Sequence, residues 1–236
     1  MDILYEGKAK RLYATEHRDE LRMSFKDDAT AFNGAKHAQL AGKGHLNKEI
    51  TLLLYRELAA AGIETHFLRE LDDTDLLVRK VTIIPLEVVV RKVVAGSLAK
   101  RTGLAQGQTL DEPLVEYYLK DDALGDPMLA PAHIRALNLA SPAEVEESTQ
   151  QALAIFTHLE SFFARASLRL VDLKLEFGRA DGKILLADEI SPDTCRLWDA
   201  ETGEIFDKDR FRQDLGGVLE HYQQILERIA PHAKCV

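Results

Sequence analysis

The chain has 236 residues, 46% of them hydrophobic, which is enough for one large domain or two small ones that share a cleft. Its formal net charge of −9 argues against nonspecific nucleic-acid binding, and no apolar run reaches membrane-spanning length. The two cysteines, Cys195 and Cys235, are too few for a disulfide framework, and the N-terminus lacks the pattern of a signal peptide. We therefore expect a cytoplasmic protein that binds neither nucleic acid nor membranes.

The first part of the chain predicts short strands around one helix. Apolar residues at helical spacing indicate a helix over residues 45–61, ended by Gly62. Strands are predicted at residues 3–5, 11–14, 21–25, 65–68 and 75–81. Pro85 interrupts the pattern before an apolar run over residues 86–90.

The middle of the chain predicts a long irregular stretch followed by a long helix. Residues 103–140 are rich in Gly, Pro and Asp, which is typical of loop with short helices. Residues 141–144 then read Ser-Pro-Ala-Glu, where Ser can cap, Pro suits the first turn and Glu reaches back to the cap amide. This second helix should run to about Ala166.

The last helix is predicted from Asp209 to Ile229, with Gly216 and Gly217 in its middle, which we attribute to close packing against a sheet. The early strands and a later strand pair indicate two sheet-containing lobes with a cleft between them. We place the boundary at residue 82, giving an N-terminal lobe of residues 1–82 and a C-terminal lobe of residues 83–236.

The segment from Val171 to Gly178 alternates apolar and charged residues. On a strand, this alternation places Asp172, Lys174 and Glu176 on one face. A tight turn and a second apolar run follow, and that run ends at Asp188. Mg²⁺ takes one or two protein carboxylates and leaves room for phosphates, so these carboxylates predict a Mg²⁺ site. The alternative is a sheet with one solvated face.

Two basic segments predict anion binding. Residues 5–11 read Tyr-Glu-Gly-Lys-Ala-Lys-Arg between two short strands, where Gly7 allows a hairpin tip to fold over a triphosphate. Residues 91–101 couple Arg91 to a Gly-Ser turn and a basic helix start, which suits a phosphate monoester. Either segment could instead be a solvated basic turn. A further polar turn carries Arg196.

Taken in order, these motifs resemble one family over nearly the whole chain. The segments that carry the resemblance are residues 7–10, 91–98, 171–178, 188–199 and 207–212. They are similar to the motifs of the SAICAR synthetases (phosphoribosylaminoimidazole-succinocarboxamide synthases) of purine biosynthesis. The resemblance implies an ATP-dependent ligase that uses Mg²⁺ to join carboxyaminoimidazole ribonucleotide to L-aspartate, giving SAICAR, ADP and phosphate. It also implies an α+β fold of two lobes with mainly antiparallel sheets around an ATP cleft, related to ATP-grasp and kinase-like architectures.

The resemblance further implies a role for each residue that matches a family motif. ATP would be bound by Gly7, Lys8, Ala9, Lys10, Lys80, Ile83 and Lys120. The ribonucleotide would be bound by Arg91, Ser97, Asp126 and Arg196, with its 5′-phosphate held by all of these except Asp126. The remaining roles are catalytic for Asp172 and Lys174, near the reacting carboxylate, and Mg²⁺-binding for Glu176 and Asp188.

The implied metal site requires a particular register between the strand that carries Glu176 and the strand that ends at Asp188. A two-residue hairpin at Asp181-Gly182 would place Glu176 opposite Ala187 and turn Asp188 to the apolar face. The metal site needs Asp188 beside Glu176. We therefore predict an odd number of residues in the connection, or a bulge that shifts the register by one.

Two other functions remain open from the sequence. One is an ATP-dependent carboxylate–amine ligase or small-molecule kinase with another acceptor, and the other is a noncatalytic nucleotide-binding module. Convergence of Arg91, Ser97 and Arg196 on one phosphate would favour SAICAR formation over the first alternative. The second predicts ATP binding without aspartate-dependent ADP release. The sequence also leaves a homodimer open.

Overall fold

The computed structural model describes residues 2–32 and 34–233, so Cys235 lies outside the described residues. Within these ranges the chain forms two main sheets, and neighbouring strands in both are antiparallel. Helices pack against the sheets, so the α+β fold class is confirmed. No helix in the described part of the chain is long and apolar enough to cross a membrane.

The first sheet has five strands in the order β1-β2-β3-β7-β6. Its strands are β1 (Ile3–Glu6), β2 (Lys10–Ala14), β3 (Glu20–Phe25), β6 (Phe67–Glu70) and β7 (Asp75–Arg79). A separate hairpin is formed by β4 (Asp28–Ala31) and β5 (Lys36–Gln39). The predicted early strands are therefore present, with β6 starting two residues later than expected.

The second sheet has the order β10-β9-β8-β11-β12, and a further strand, β13, also pairs with β11. Its strands are β8 (Thr82–Val93), β9 (Thr109–Leu119), β10 (Met128–Leu129), β11 (Leu168–Ala180), β12 (Lys183–Ala187) and β13 (Cys195–Asp199). On one edge of β11, β12 pairs with its second half and β13 with its first half. The chain between these two strands, residues 188–194, leaves the sheet and returns to the same edge.

Six α-helices complete the fold of the described residues. They are α1 (Lys43–Ala60), α2 (Gly96–Thr102), α3 (Pro131–Ala136), α4 (Pro142–Arg165), α5 (Asp209–Arg212) and α6 (Val218–Ile229). The capping box predicted for α4 is present, because Ser141 Oγ accepts from the Glu144 amide and Glu144 Oε2 accepts from the Ser141 amide. The phenylalanines of α4, Phe156, Phe162 and Phe163, are fully buried in the main core.

The first sheet is formed by residues before position 82, and the second sheet begins at Thr82. However, α1 packs against α6, and Ile50 and Leu54 of α1 share one buried core with Ile225 and Ile229 of α6. The division of the chain into lobes at residue 82 therefore stays a prediction.

The alternation in β11 is confirmed. Leu173, Leu175 and Phe177 are buried in the main core beneath α4 and α1, whereas the alternating charged residues line a cleft on the other face. Burying three such side chains removes apolar surface worth about 1.5–3 kcal/mol each from water. This burial fixes which face of the strand carries the charges.

The predicted register of the β11–β12 hairpin is wrong. Ala180 lies opposite Lys183 and Glu176 opposite Ala187, so the connection has two residues. Both of them have left-handed backbone, with φ of 50° at Asp181 and 74° at Gly182, which is typical of the tight turns that match strand twist. Asp188 nevertheless lines the cleft. It follows the last residue of β12 and has a φ of 65°, so strand alternation no longer sets where its side chain points.

Two further strand predictions are also wrong. Residues 103–140 contain the 11-residue strand β9, which the Gly, Pro and Asp content had concealed. Only two residues of β10 cover its outer side, so half-exposed polar side chains are tolerated there. Strand β8 also continues through Pro85, because its pairing with β11 bulges at this point and needs no proline N–H.

The prediction of a single C-terminal helix is wrong, because the structure has two helices there, α5 and α6. Gly216 and Gly217 have φ values of 69° and 63°, which no right-handed helix can accommodate, so the chain turns between α5 and α6. The expected close packing against a sheet is not the reason for them. An added Cβ at Gly216 would meet no atom within 4 Å, and one at Gly217 would meet His221 Nδ1 at 3.3 Å, which is not part of a sheet. Arg196, placed by the sequence in a turn, lies on β13 instead.

Candidate active site

A cleft of about 400 Å³ lies between the two sheets and the β4–β5 hairpin. The tip of the β1–β2 hairpin forms part of one wall, and β11 with the 188–194 loop forms the opposite wall. Every sequence-predicted site residue lines this cleft except Lys80 and Ile83. The cleft therefore collects motifs that are far apart in the chain.

Glu176 lines the cleft and is 2% exposed. Its Oε1 accepts hydrogen bonds from Lys174 Nζ and Lys120 Nζ, both at 2.9 Å. Burial by itself would raise the pKa of Glu176, but Lys174, Lys120 and Lys10 outweigh burial and hold that pKa at about 2. Glu176 is therefore an anion at neutral pH, ready to bind a cation.

Lys174 lies between two carboxylates and stays protonated. Its Nζ donates to Glu87 Oε1 at 2.8 Å as well as to Glu176. Burial would lower the pKa of Lys174, yet the charges of Glu176 and Glu87 raise it above its usual value. This lysine can therefore supply positive charge to the reaction but cannot accept a proton.

Lys10 reaches the opposite wall and pairs with both Asp188 and Glu189. All three side chains are buried or nearly so. Burial would raise the pKa of Glu189, but the Lys10 ammonium lowers it, so the carboxylate stays ionised. The carboxylate oxygens of Asp188 and Glu189 therefore converge on one position, which the Lys10 ammonium occupies.

The carboxylates fit a Mg²⁺ ion shared with a phosphate. Among residues 2–32 and 34–233, no group of three or more His, Cys, Asp or Glu side chains could hold a metal ion by itself. Mg²⁺ needs only one or two protein carboxylates when phosphates and water complete its octahedron. Glu176 and Asp188, with Glu189 as an additional donor, provide such a partial set.

Beneath Asp188, a buried pair that the sequence did not reveal supports the backbone. The Tyr55 hydroxyl donates to the Asp188 carbonyl and lies 3.1 Å from His66 Nε2. Burial, reinforced by the Lys10 charge, lowers the pKa of His66 to about 3, so its neutral ring can donate to the tyrosine oxygen. This chain of hydrogen bonds holds Asp188 in its left-handed conformation.

At the other end of the cleft, Arg91 and Arg196 share one carboxylate. Arg91 Nη1 and Arg196 Nη1 both donate to Asp172 Oδ2, each at 2.6 Å. Arg91 Nη2 also lies 3.2 Å from Ser97 Oγ, so the predicted trio of Arg91, Ser97 and Arg196 is brought together. Within the cleft lining the two guanidinium groups share the Asp172 carboxylate, which leaves this end suited to an anion.

Each arginine is also held from behind by an acid that the sequence did not single out. Arg91 Nε donates to Glu116 Oε2 at 2.8 Å, and Arg196 Nε donates to Asp209 Oδ2 at 2.7 Å. Burial would lower the pKa of Arg196, but Asp172 and Asp209 raise it. These charge-assisted hydrogen bonds hold both guanidinium groups in orientations that face the cleft.

Gly96 packs directly on Arg196. It has a φ of 53°, and a Cβ built on it would lie 2.4 Å from Arg196 Nη2. Only glycine offers both the left-handed backbone and the space for the guanidinium. This explains why a Gly-Ser turn follows β8 at this end of the cleft.

The rim of the cleft carries the other predicted loop residues. Lys8, at the tip of the β1–β2 hairpin, donates to Asp122 Oδ1 at 2.6 Å, and this pair is exposed. Asp126 lines the cleft while its Oδ1 accepts from the Asp121 amide at 3.0 Å. The tip of the hairpin is closed by a hydrogen bond from the Gly7 amide to the Lys10 carbonyl, which confirms the predicted turn.

Lys80 and Ile83 are the two predicted residues that do not line the cleft. Lys80 is exposed after β7, and its amide donates to the Asp19 carbonyl at 2.8 Å. Ile83 is half-buried on β8 opposite Gly178. Their role in ATP binding stays a prediction.

A further group of cleft residues had no role assigned from the sequence. Asp193 accepts from buried Lys43 at 2.5 Å and from the Tyr222 hydroxyl at 2.8 Å. Lys208 and Arg212 line the cleft beside it. The segment 207–212 contributed to the family resemblance, and that was the available signal, but spacing alone could not connect it with Asp193.

Comparison with known proteins places these features in one family. A family profile described as SAICAR synthetase matches residues 3–229. A phosphoribosylaminoimidazole-succinocarboxamide synthase from Bacillus cereus (strain AH187) is 56% identical over 230 residues, covering 97% of this chain and 96% of that protein.

Solved structures show the same relationship. The crystal structure of the corresponding synthase from Ehrlichia chaffeensis superposes with a TM-score of 0.95 at 41% identity, covering 100% of both chains. A SAICAR synthetase in complex with ADP superposes with a TM-score of 0.93 at 47% identity, covering 98% of this chain and 99% of that one.

Proposed function

The chain belongs to the SAICAR synthetase family, and we propose that its cleft joins carboxyaminoimidazole ribonucleotide to L-aspartate while splitting ATP to ADP and phosphate. The enzyme is thus a carbon–nitrogen ligase of purine biosynthesis. The observation that carries the proposal is the division of one cleft into a lysine- and carboxylate-rich end and an arginine-rich end. Such a cleft can hold a triphosphate and a phosphate monoester at once.

The chemistry requires activation of a carboxylate. A carboxylate is a poor electrophile, because attack by an amine would have to expel oxide. Transfer of the γ-phosphoryl group to one carboxylate oxygen gives an acyl phosphate and ADP. The aspartate amine then attacks the acyl carbon, and phosphate leaves with the C–O bond electrons as the amide forms.

The first step brings two anions together, so positioning and positive charge matter more than a protein nucleophile. We assign Lys8 and Lys10 to the ATP phosphates and Lys174 to the reacting carboxylate. The raised pKa of Lys174 supports this assignment, because the side chain keeps its charge throughout. Lys120, which shares Glu176 with Lys174, adds a second cation on the same side.

Mg²⁺ would be held by Glu176 and Asp188, with Lys10 moving from its carboxylates toward phosphate oxygens. Bound there, the ion would neutralise negative charge on the ATP phosphates. The protein's own contribution is to keep these acids ionised, which the lysine-lowered pKa of Glu176 supports. Closure of the cleft would exclude water from the acyl phosphate.

We assign the 5′-phosphate of the ribonucleotide to Arg91, Ser97 and Arg196. Asp172 then acts as a positioning residue, because its Oδ2 orients both forks. Arg196→Ala should raise the KM for the ribonucleotide far more than the KM for ATP. Equal effects on the two KM values would contradict this assignment.

Another ATP-dependent ligase or kinase is the second candidate, because the lysine-rich end alone would serve any such enzyme. The test is a coupled assay that follows ADP release while ATP, ribonucleotide and L-aspartate are omitted in turn. We expect full ADP release only with all three. Release without aspartate at the full rate would indicate a kinase, and no release with all three would indicate a binding module.

A cytoplasmic location agrees with this metabolic role and with the buried, unpaired thiol of Cys195. A homodimer stays a prediction, and gel filtration with light scattering measures it directly.

A further inference from the structure

Lys208 is a buried cation of the cleft without a matching hydrogen bond. Its side chain is 11% exposed, and its Nζ lies 3.7 Å from Asp193 Oδ2, beyond hydrogen-bond distance. Within residues 2–32 and 34–233, this ammonium makes no hydrogen bond. By contrast, Lys10, Lys120 and Lys174 each donate to at least one carboxylate.

Asp193 cannot fully compensate Lys208, because it already has two partners. Its Oδ2 accepts from Lys43, and its Oδ1 accepts from Tyr222. Arg212, one turn along α5, adds another positive charge beside Lys208 and uses Nη1 for Asp209 at 2.5 Å. A buried ammonium in this setting is costly unless an anion joins it.

We propose that Lys208 and Arg212 form a carboxylate-binding subsite that receives the amino-acid substrate of the ligase. The inference rests on the proposed function. L-Aspartate brings two carboxylates into the cleft, and the lysines and arginines assigned above to ATP and to the ribonucleotide leave none for them. A lysine and an arginine that line the same part of the cleft match the two carboxylates of such a ligand in charge.

The electrostatic surroundings of Lys208 agree with an unfilled anion position. Burial is the main cause that lowers the pKa of Lys208 to about 8, and the charges of Lys43 and Arg212 add to it. Asp193 and the more distant Glu189 act in the opposite direction without restoring the usual value. A carboxylate bound at Lys208 would raise this pKa, so binding near pH 8 should take up a fraction of a proton.

Kinetics give the first test. Lys208→Met keeps the length of the side chain and removes its charge. We expect the KM for L-aspartate to rise by about tenfold or more, as for loss of one charged hydrogen bond, while the KM values for ATP and ribonucleotide change by less than about twofold. Lys183→Met, which removes an exposed lysine paired with Glu64 outside the cleft, is the matched control and should change none of them.

The ribonucleotide also carries a carboxylate. The same assay shows whether the subsite binds this carboxylate or those of L-aspartate. A rise confined to the KM for the ribonucleotide would overturn the assignment to the amino acid. Unchanged KM values, or equal rises for all three substrates, would overturn it as well. If Lys208→Met fails to fold, as judged by ADP binding and thermal melting, Arg212→Gln is measured in its place with the same expectations.

Calorimetry provides a readout that a structural role would not change. Succinate, a dicarboxylate without an amine, is titrated into the ADP-bound enzyme at pH 8 in buffers of different ionisation enthalpy. We expect uptake of up to about half a proton by the wild type and none by Lys208→Arg, which should still bind succinate. Proton uptake by both enzymes would refute the role of Lys208.

This outcome is distinguishable from failure of the proposed function. If the wild type releases no ADP with all three substrates, the ligase assignment fails. If it does release ADP but Lys208→Met keeps its KM for L-aspartate, only the subsite fails.

Discussion

Gly96→Ala should disable the arginine-rich end of the cleft although it replaces no charged residue. The new methyl group would lie 2.4 Å from Arg196 Nη2 and 2.8 Å from its Cζ, so the guanidinium must move. Movement would break its 2.6 Å hydrogen bond to Asp172. A charged hydrogen bond contributes about 1.5–3 kcal/mol, so the KM for the ribonucleotide should rise by about 10- to 100-fold.

Gly103→Ala is the matched control for this change. Gly103 ends the same helix, α2, with a φ of 71°, and a Cβ there would meet nothing within 4 Å. Both variants therefore place alanine in left-handed backbone, at a cost of about 1–2 kcal/mol. For a chain of this size that cost should lower the melting temperature by about 2–8 °C in each variant.

The two variants differ only in the contact with Arg196, so steady-state kinetics isolate that contact. We expect Gly96→Ala to raise the KM for the ribonucleotide while the KM for ATP stays within about twofold, since one charged contact is lost at one end only. Gly103→Ala should leave both KM values unchanged. An unchanged KM for the ribonucleotide in Gly96→Ala, or equal shifts in the two variants, would refute the reasoning.

Other features of the structure lead to further predictions. Tyr55→Phe removes the hydroxyl that donates to the Asp188 carbonyl, and it should lower the free energy of unfolding by about 1–3 kcal/mol and raise the Mg²⁺ concentration needed for half-maximal turnover. Asp188→Asn should increase that Mg²⁺ requirement more than Glu189→Gln does, and the reverse order would move the metal role to Glu189. Glu144→Gln tests a pH effect, because the hydrogen bond from Arg179 lowers the pKa of Glu144 to about 2, below its usual 4.5. Its stabilisation is present above pH 4.5 and is lost as the pH falls through 2, so the difference in melting temperature from the wild type should shrink over that range.

Local sequence patterns predicted the elements whose side chains face clearly opposite environments. Strand β11 is one example, because its apolar residues enter the core and its charged residues enter the cleft. Helix α4 is another, since its capping box is encoded within four residues. Strand β9 was missed because it lies near the edge of its sheet, where half-exposed polar residues leave no periodic signal.

The hairpin register shows where a correct premise led to a wrong expectation. The premise was that Asp188 must reach the cleft, and it does. The error was to assume that strand alternation continues through Asp188, whereas its left-handed backbone redirects the side chain after β12 has ended. A single φ value at a non-glycine residue is not encoded in apolar periodicity.

Candidate site residues were predicted when they carry the charge that faces the cleft. Residues that act through another side chain were missed, such as Glu116 behind Arg91 and Tyr55 beneath Asp188. Their contacts join strands and helices that are far apart in the chain, 25 and 133 residues respectively. Such pairs follow only from the packed fold.

The loop of residues 188–194 begins and ends on the same edge of β11, and from this arrangement we expect one wall of the cleft to be more rigid than the other. The Lys174 amide ties the loop to the strand through the Thr194 carbonyl at 2.8 Å, so its acids keep their spacing relative to Glu176. The opposite wall consists of two hairpins, and all four residues of β1 are exposed. The cleft should therefore open and close by motion of these hairpins. We expect fast amide hydrogen exchange in the hairpins and slow exchange along β11.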